Sequence, residues 1–559
     1  MTLPLRMTAT WVAAALAFAP SGCGDDSKRT GGDDEPGPDA GATTPDTTAL
    51  LKSKVKTIVV IYAENRGFDN IYGMFPGANG IPGINPAATG AIAPQIDRDA
   101  TALAKLPMSW GGVTTPGFTP AITEAMSAGL DNAPYSLAGH YTDFGFTTVT
   151  HDMVHRFFEN QMQIDGGKND RFAAFSDAGG LVMGYHDGSG MALWNVAHRY
   201  VLADNFFTAT FGGSFLNHQY LICACAPEYP NADTAAAKPS ISVVDAAGTG
   251  FSSNLTLAAT SPASAMTGPP AFMLAGNLAP KNYFGDATFR AVNTMQPPYQ
   301  PSRNAPSATD PSTSAKLYAD PGITNTLPPQ TATTIGDLLD AQGVTWKWYA
   351  GEYASTLASA TSDRVFQQVA VSGQGIDYQF HHHPFNYYAK YDPVTGAAAR
   401  QAHFDDASKL LSDIAAGTLP QVVFYKPVGD FNQHPGYASI DAGDKHLADV
   451  IAKLEASPQF ANMVILLTYD ENGGWWDHVA PPKGDLLGPG SRIPAIIVSP
   501  FARAGTVDHT QYDTASIQRL INRRFGTTAL PGITARDTAL IAAGGHAMGD
   551  LTAALDLTK

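Results

Sequence analysis

Basic residues are scarce in this sequence. Among its 559 residues, 34 are Lys or Arg and 50 are Asp or Glu, so the formal net charge is −16 at pH 7. Nucleic acids and anionic membranes bind basic surfaces, so neither is expected as the main partner. An anionic substrate would need a bound cation to offset the charge of the protein.

Cysteine is almost absent as well. The three cysteines are Cys23, Cys223 and Cys225, and the further ligands that would complete a zinc site at Cys223 and Cys225 are missing. A disulfide between cysteines two positions apart would close a strained loop. We therefore expect Cys223 and Cys225 to be buried thiols behind the segment that contains Ser214.

Long apolar runs are missing after the first twenty residues, so no later stretch is expected to span a bilayer. Residues 1–22 contain a basic residue, then an apolar stretch, then small residues, which is the order of a signal peptide. Cys23 follows as in bacterial lipoproteins, although Pro20 stands where that pattern prefers an aliphatic residue. We predict export as a periplasmic or outer-membrane protein with a lipid anchor on Cys23, and simple secretion is the alternative.

The rest of the chain divides by composition. Residues 23–49 are rich in Asp, Gly, Pro and Thr and have almost nothing to bury, which predicts a disordered tether. The folded domain is expected to begin near Leu50 and to extend to residue 559. Within it, residues 227–330 are rich in Ala, Pro, Ser and Thr and predict a loop-rich insertion packed over the sheet.

Apolar strands alternate with amphipathic helices in this domain. Residues 56–62 and 463–467 are nearly unbroken apolar runs, as expected for strands covered on both faces. We also predict a helix that begins at His151, and one that is capped by Asp513 and ended by Gly526. The remaining predicted elements are strands at 344–349, 421–425 and 493–498 and helices at 334–341 and 446–454. The pattern predicts an α/β fold with a central, mostly parallel sheet flanked by helices.

Acidic and amide side chains follow two of these strands. Glu64 and Asn65 come shortly after the strand at 56–62, and Asp470 and Glu471 follow the strand at 463–467. Turns also favour such residues, but ligands of open α/β sheets gather at the carboxyl ends of the strands, and two acidic strand ends together favour a metal site. Oxygen ligands without His or Cys suit one hard divalent cation of the Mg²⁺, Ca²⁺ or Mn²⁺ class.

Four segments, in order, resemble one family. They are ENRGFDNIYG (64–73), NFFTATFGGSFLNHQYLI (205–222), QHPGYASIDAGDKH (433–446) and TYDENGGWWDHVAPP (468–482). They resemble the bacterial phosphoesterases that include acid phosphatases and phosphatidylcholine-hydrolysing phospholipases C, within the alkaline phosphatase superfamily. The motif GGSFLNH resembles the acid phosphatase branch more closely. The resemblance implies an alkaline-phosphatase-like fold and a phosphate ester as substrate.

The resemblance also implies roles for particular residues. The family has its Thr or Ser nucleophile at the position of Ser214, whose oxygen would complete the metal sphere. Histidines that contact the phosphate and protonate the leaving group are implied at His155, with His151 as the weaker alternative, at His382 and His383 before a proline, and at His434. Lys168 lies in a further matching segment, where it either reaches the phosphate or lies in solvent.

The expected reaction is attack of Ser214 on phosphorus, loss of the alcohol and hydrolysis of a phosphoserine. Metal coordination would lower the serine pKa, and cationic histidines would favour an acid pH optimum. Three interpretations remain open: an acid phosphatase, a phospholipase C in which Trp475 and Trp476 hold a choline, and a lipoprotein that binds phosphorylated solutes without turnover. The natural substrate and the oligomeric state do not follow from the sequence.

Overall fold

A mostly parallel sheet forms the centre of the computed structural model, which describes residues 47–245, 254–300, 317–323, 325–358 and 378–559. In chain order its strands are β1 (Thr57–Ala63), β2 (Tyr135–Ser136), β3 (Gly184–Tyr185), β4 (Val201–Phe207), β5 (Leu278–Ala279), β6 (Arg290–Ala291), β7 (Trp346–Ala350), β8 (Phe404–Asp406), β9 (Val422–Lys426), β10 (Met463–Tyr469), β11 (Arg492–Val498), β12 (Thr506–Asp508) and β13 (Tyr512–Asp513).

Within the described residues the main sheet has nine strands in the order β12-β4-β11-β10-β1-β9-β7-β8, with β13 also paired to β4. Strand β11 runs antiparallel to β10 and β4, and the other pairs are parallel. Strands β2 and β3, and β5 and β6, form two small separate sheets.

Helices pack against this sheet and against one another. In chain order they are α1 (Thr47–Lys54), α2 (Phe68–Tyr72), α3 (Leu137–His140), α4 (Phe157–Ile164), α5 (Ala192–Arg199), α6 (Ser214–Cys223), α7 (Ile335–Ala341), α8 (Tyr353–Ala358), α9 (Ala397–His403), α10 (Ala407–Ala416), α11 (Ile440–Ala456), α12 (Ala515–Phe525) and α13 (Pro531–Ala542). Helix α5 contacts β4 and β11, α10 contacts β7 and β8, and α11 contacts α5 and α10. The predicted α/β fold class is confirmed.

The two central strands explain where the candidate site forms. Every residue of β1 and β10 is buried, as expected for apolar strands covered on both faces. The two strands are parallel and in register from the pair Thr57 and Met463 to the pair Ala63 and Tyr469. The residues that follow them therefore leave the sheet side by side at one edge.

The predicted start of a helix at His151 is wrong. Helix α4 begins at Phe157, and the preceding residue Arg156 has an extended backbone. Tertiary hydrogen bonds hold the segment before it: His151 N donates to Val113 O (2.9 Å), and Gly213 N donates to His155 O (2.8 Å). These bonds use backbone groups that a helix would need.

The prediction of free thiols is also wrong, because Cys223 and Cys225 form a disulfide. Helix α6 ends at Cys223, and Ala224 takes a left-handed conformation with φ of 49°. This turn brings the two cysteine Cα atoms to 5.1 Å, within the range that a disulfide spans. The spacing of the two cysteines alone does not indicate the turn at Ala224.

Two predicted boundaries shift by a few residues. Helix α1 starts at Thr47, a few residues before Leu50, near which the folded domain was predicted to begin. Asp513 does not cap α12, because it belongs to β13 and its carboxylate accepts a hydrogen bond from Arg536 (3.1 Å). The residue before α12 is Thr514.

The predicted signal peptide, Cys23 and nearly all of the tether lie outside the described residues. Among the described helices, none combines the length and the apolar composition needed to cross a membrane. The described parts of residues 227–330 contain β5, β6 and short 3-10 helices. That this region is an insertion stays a prediction.

Candidate functional site

The four predicted strand-end ligands lie together at the carboxyl edge of the sheet. Glu64 and Asn65 follow β1, and Asp470 and Glu471 follow β10. All four side chains are fully buried. Asn65 N donates to Asp470 Oδ1 (3.1 Å), which joins the two strand ends directly.

Gly473 permits this close approach. It has a φ of 62°, and a Cβ at this position would lie 2.4 Å from Asn65 O. A side chain there would push the two turns apart. Gly473 therefore has a structural role at the site.

Ser214 joins the cluster from α6, where it is the first helical residue. Its Oγ donates to Glu471 Oε1 (2.7 Å), and Gly213 N donates to Glu471 Oε2 (3.0 Å). Gly213 has a φ of 88°, and a Cβ there would lie 2.9 Å from the carbonyl carbon of Asn293. The glycine before the serine is thus needed to bring the hydroxyl to the carboxylate.

Two predicted histidines contact Asn65. His155 Nε2 and His434 Nε2 lie 3.2 Å and 2.9 Å from the nitrogen of the Asn65 amide. The Nδ1 atoms of these rings donate to the carbonyls of Met153 (2.5 Å) and Pro435 respectively. In a neutral ring this leaves Nε2 as the acceptor, so the Asn65 amide donates to both histidines.

With that orientation, the Asn65 oxygen faces carboxylates. It lies 2.9 Å from Glu64 Oε2 and 3.0 Å from Asp470 Oδ1. Reversing the amide would relieve this contact only if both imidazoles carried two protons. Burial opposes that state, because it lowers the pKa of His155 to about 4 and the pKa of His434 well below its ordinary value. Oxygen atoms that converge in this way suit a cation.

His382 is the third predicted histidine at the site. Its Nε2 lies 3.3 Å from Glu64 Oε1, and burial lowers its pKa well below the ordinary value. The histidines are therefore neutral near neutral pH in the free protein. The cationic forms expected from the sequence require a bound anion to favour them.

Other predicted residues are not brought into this group. Both ring nitrogens of His383 lack a hydrogen-bond partner among the described residues, and its ring packs against Phe404 (4.5 Å), Tyr353 and Trp348. His151 packs instead against Gly111. Apolar and aromatic neighbours therefore account for the placement of His383, and its predicted role at the phosphate gains no support.

Lys168 and the paired tryptophans also lie elsewhere. Lys168 is exposed, and its Nζ donates to Asp165 Oδ2 (2.7 Å). Trp475 and Trp476 are buried, and Trp476 Nε1 donates to Asn169 O (2.9 Å). The tryptophans pack inside the protein and do not offer a ring face to a choline in solvent.

Three site residues were not among the predicted ones. Lys426, the last residue of β9, is buried and contacts Glu64. His218 lies one turn after Ser214 on α6, with Nε2 3.8 Å from Glu64 Oε1, and stacks on His382. The ring of His381 also contacts His382. A lysine that ends an apolar strand and the i, i+4 spacing from Ser214 were the available signals.

The electrostatics of the cluster point to a missing positive charge. Burial raises the pKa of Glu64, Asp470 and Glu471, and mutual repulsion between these carboxylates raises those of Asp470 and Glu471 further. A divalent cation would counter these shifts and favour the three ionised carboxylates, whose combined charge with one lysine is about −2. Asp470 Oδ2 has no hydrogen-bond partner among the described residues. Residues of this cluster could therefore hold a metal ion.

A second acidic cluster does not lack positive charge. Asp69, Asp477 and His478 have ligand atoms close enough to hold an ion. Arg492 already lies among them, with Nη2 2.9 Å from Asp69 Oδ1 and Nε 3.1 Å from Asp477 Oδ1. An ion-paired network that joins the 477–478 segment to α2 explains these residues.

The fold and the site together define an α/β protein. At the carboxyl edge of its sheet lie a serine and a cluster of buried carboxylates that could hold a metal ion. Residues 55–528 match the Phosphoesterase family, so the chain belongs to that family. Enzymes of this family are metal-dependent, and residue groups of this protein could hold a metal ion.

Several curated relatives are phospholipases C. The non-hemolytic phospholipase C of Pseudomonas aeruginosa is 29% identical over 182 residues, which cover 27% of this chain and 25% of that protein. The non-hemolytic phospholipase C of Burkholderia pseudomallei is 27% identical over 267 residues, which cover 41% of this chain and 36% of that protein. The similarity thus spans about a quarter to a third of each relative.

Solved structures with detectable similarity include a protein of the alkaline phosphatase superfamily from Vibrio parahaemolyticus. It is 10% identical, with a TM-score of 0.27, and the match covers 63% of this chain and 64% of that one. The lipoteichoic acid synthase LtaP from Listeria monocytogenes is 9% identical, with a TM-score of 0.28 and coverage of 67% and 70%.

Proposed function

We propose that this protein hydrolyses phosphate monoesters with Ser214 as the nucleophile. The observation that carries the proposal is the contact of Ser214 Oγ with Glu471 Oε1 (2.7 Å) at the first residue of α6. The N-terminal end of a helix favours negative charge, such as that of a phosphoryl group. Membership of the Phosphoesterase family supports the same class of substrate.

In the first step, Ser214 Oγ bonds to phosphorus, and the bond between phosphorus and the alcohol oxygen breaks. The serine hydroxyl already directs its proton to Glu471 Oε1. A divalent ion held by Glu64, Asn65, Asp470 and Glu471 would offset the phosphoryl charge and lower the serine pKa. Water then attacks the phosphoserine, which releases phosphate and restores the serine.

The histidines serve the phosphoryl group in this scheme. His155, His382 and His434 are neutral when the site is free, because burial lowers their pKa values. A phosphate dianion beside them raises those pKa values and favours the doubly protonated ring. Substrate binding thereby supplies the N–H donors and the acid that protonates the leaving alcohol.

Substitution of Ser214 by Ala tests the covalent route. The variant should lose nearly all turnover of p-nitrophenyl phosphate, whereas Ser189→Ala, at an exposed serine, should behave as the wild type. Transfer from a chiral phosphorus to an alcohol acceptor should retain configuration, since two in-line displacements occur. Inversion, or substantial activity in Ser214→Ala, would refute the phosphoserine.

Phospholipase C-type hydrolysis of phosphodiesters is the second candidate, and the names of the relatives favour it. Rates on p-nitrophenyl phosphate, on its phosphorylcholine diester and on phosphatidylcholine separate the two activities. A protein that acts faster on the diesters is a phospholipase C. Binding of phosphate esters without turnover in all three assays would leave a binding protein.

A further inference from the structure

A cavity of about 260 Å³ lies beside the candidate site. One wall is the extended segment 152–156, which includes His155, and the other wall comes from Ala275, Asn277, Thr294 and Met295. Asp177 also lines the cavity. Nothing in the scheme above uses this cavity except His155.

The walls of the cavity are bonded to the residues on both sides of Ser214. Gly213 N donates to His155 O (2.8 Å), and Phe215 N donates to Thr294 O (3.0 Å). His155 also reaches the candidate site, with Nε2 3.7 Å from Glu471 Oε1, the oxygen that accepts the hydrogen bond from Ser214 Oγ. The cavity is therefore next to the nucleophile and shares a histidine with it.

The size of the cavity limits its occupant. Pockets for drug-sized ligands are typically larger, about 300–1,000 Å³. The cavity holds a compact group with one ring, whereas most of a diacylglycerol would lie outside it.

The lining is mixed in character. Asp152, Asp177 and Asn277 offer polar atoms, and Ala275 and Met295 offer apolar surface. A small alcohol that combines a short carbon skeleton with polar groups matches both kinds of surface.

We propose that this cavity receives the alcohol part of the ester, and that it limits the substrate to monoesters of small alcohols. The inference rests on the proposed function, because that function places the phosphoryl group at Ser214. It adds a leaving-group subsite and names the residues that set its size, Ala275 and Met295.

The test uses phosphonates, which cannot be hydrolysed, and the metal-loaded protein. Calorimetry compares ethylphosphonate, benzylphosphonate and naphthylmethylphosphonate, which share the phosphonate and differ only in the size of the organic group. We expect the wild type to bind the first two and to reject the third. Ala275→Phe should weaken the affinity for benzylphosphonate by roughly tenfold, the scale of steric selectivity in pockets. Its affinity for ethylphosphonate should stay unchanged, which would show that the site is folded.

Met295→Ala should enlarge the cavity and allow naphthylmethylphosphonate to bind. Met126→Ala, at a methionine that is half exposed and outside the cavity, should alter none of the affinities. Unchanged affinity ratios in both cavity variants, or no phosphonate binding by the wild type, would overturn the subsite. Changed ratios in a protein that does not hydrolyse monoesters would instead overturn the proposed function alone.

Discussion

Lys426 provides a direct measure of the charge balance at the site. It is 2% exposed and contacts Glu64, which is fully buried. Lys426→Met keeps most of the side-chain volume and removes the charge. Loss of one partner from a buried ion pair costs about 3–5 kcal/mol, because the other charge stays buried without compensation.

The expected change in melting temperature follows from the size of the folded unit. Asp46–Lys559 form one compact unit of about 510 residues. At about 2.1 cal/mol/K per residue, its unfolding entropy is about 1.1 kcal/mol/K. The metal-free Lys426→Met variant should therefore melt about 3–5 °C below the wild type at pH 8, as measured by calorimetry after treatment with a chelator.

Lys445→Met is the matched control. Lys445 is exposed and its Nζ lies 2.8 Å from Asp441 Oδ2. An exposed pair contributes at most about 1 kcal/mol, so the control should shift the melting temperature by no more than about 1 °C. Equal melting temperatures for Lys426→Met and the wild type would refute the charge balance described above.

Added metal and a lower pH should both reduce the difference in melting temperature between Lys426→Met and the wild type. A divalent cation neutralises the same carboxylates, so the rise in melting temperature on adding metal should be larger in the variant. The pKa of Glu64 is raised in the folded protein, so the carboxyl group takes up a proton and the penalty shrinks as the pH falls. An equal drop in melting temperature at pH 5 and at pH 8 would contradict this account.

Four further outcomes are expected. Asp470→Ala should bind little metal in elemental analysis and lose activity while it remains folded, since the site lies at the rim of the sheet; full occupancy would remove Asp470 from the ligand set. Ser214→Ala should keep its metal although it loses turnover, because four ligands remain. Burial holds the folded pKa of His155 at about 4, below its ordinary 6.5, so stability is fully present above pH 6.5 and falls as the pH drops towards 4; His155→Gln should flatten that slope in thermal melts. Lys168→Ala should leave the KM for a monoester unchanged, because Lys168 is exposed and paired with Asp165, and a marked rise would restore it as a phosphate ligand.

Local patterns in the sequence were enough to predict the sheet and the acidic cluster. The strands β1 and β10 are apolar over their whole length, so their burial follows from composition. Because parallel strands end at the same edge, the residues after them, Glu64 and Asp470 among them, had to meet if the strands were neighbours. The resemblance to a family added Ser214, which no spacing rule could distinguish from a serine in a turn.

Only the tertiary structure decided which further residues join that cluster. Lys426 reaches Glu64 because β9 pairs with β1, and the sequence does not specify which strands become neighbours. The backbone of residues 151–156 is held extended by bonds to distant segments, although its composition favours a helix. His383 and His382 are adjacent in sequence, yet one packs among aromatic rings and the other contacts Glu64. Residue types show what chemistry is available, but distances between side chains depend on long-range pairing and packing, which local patterns do not contain.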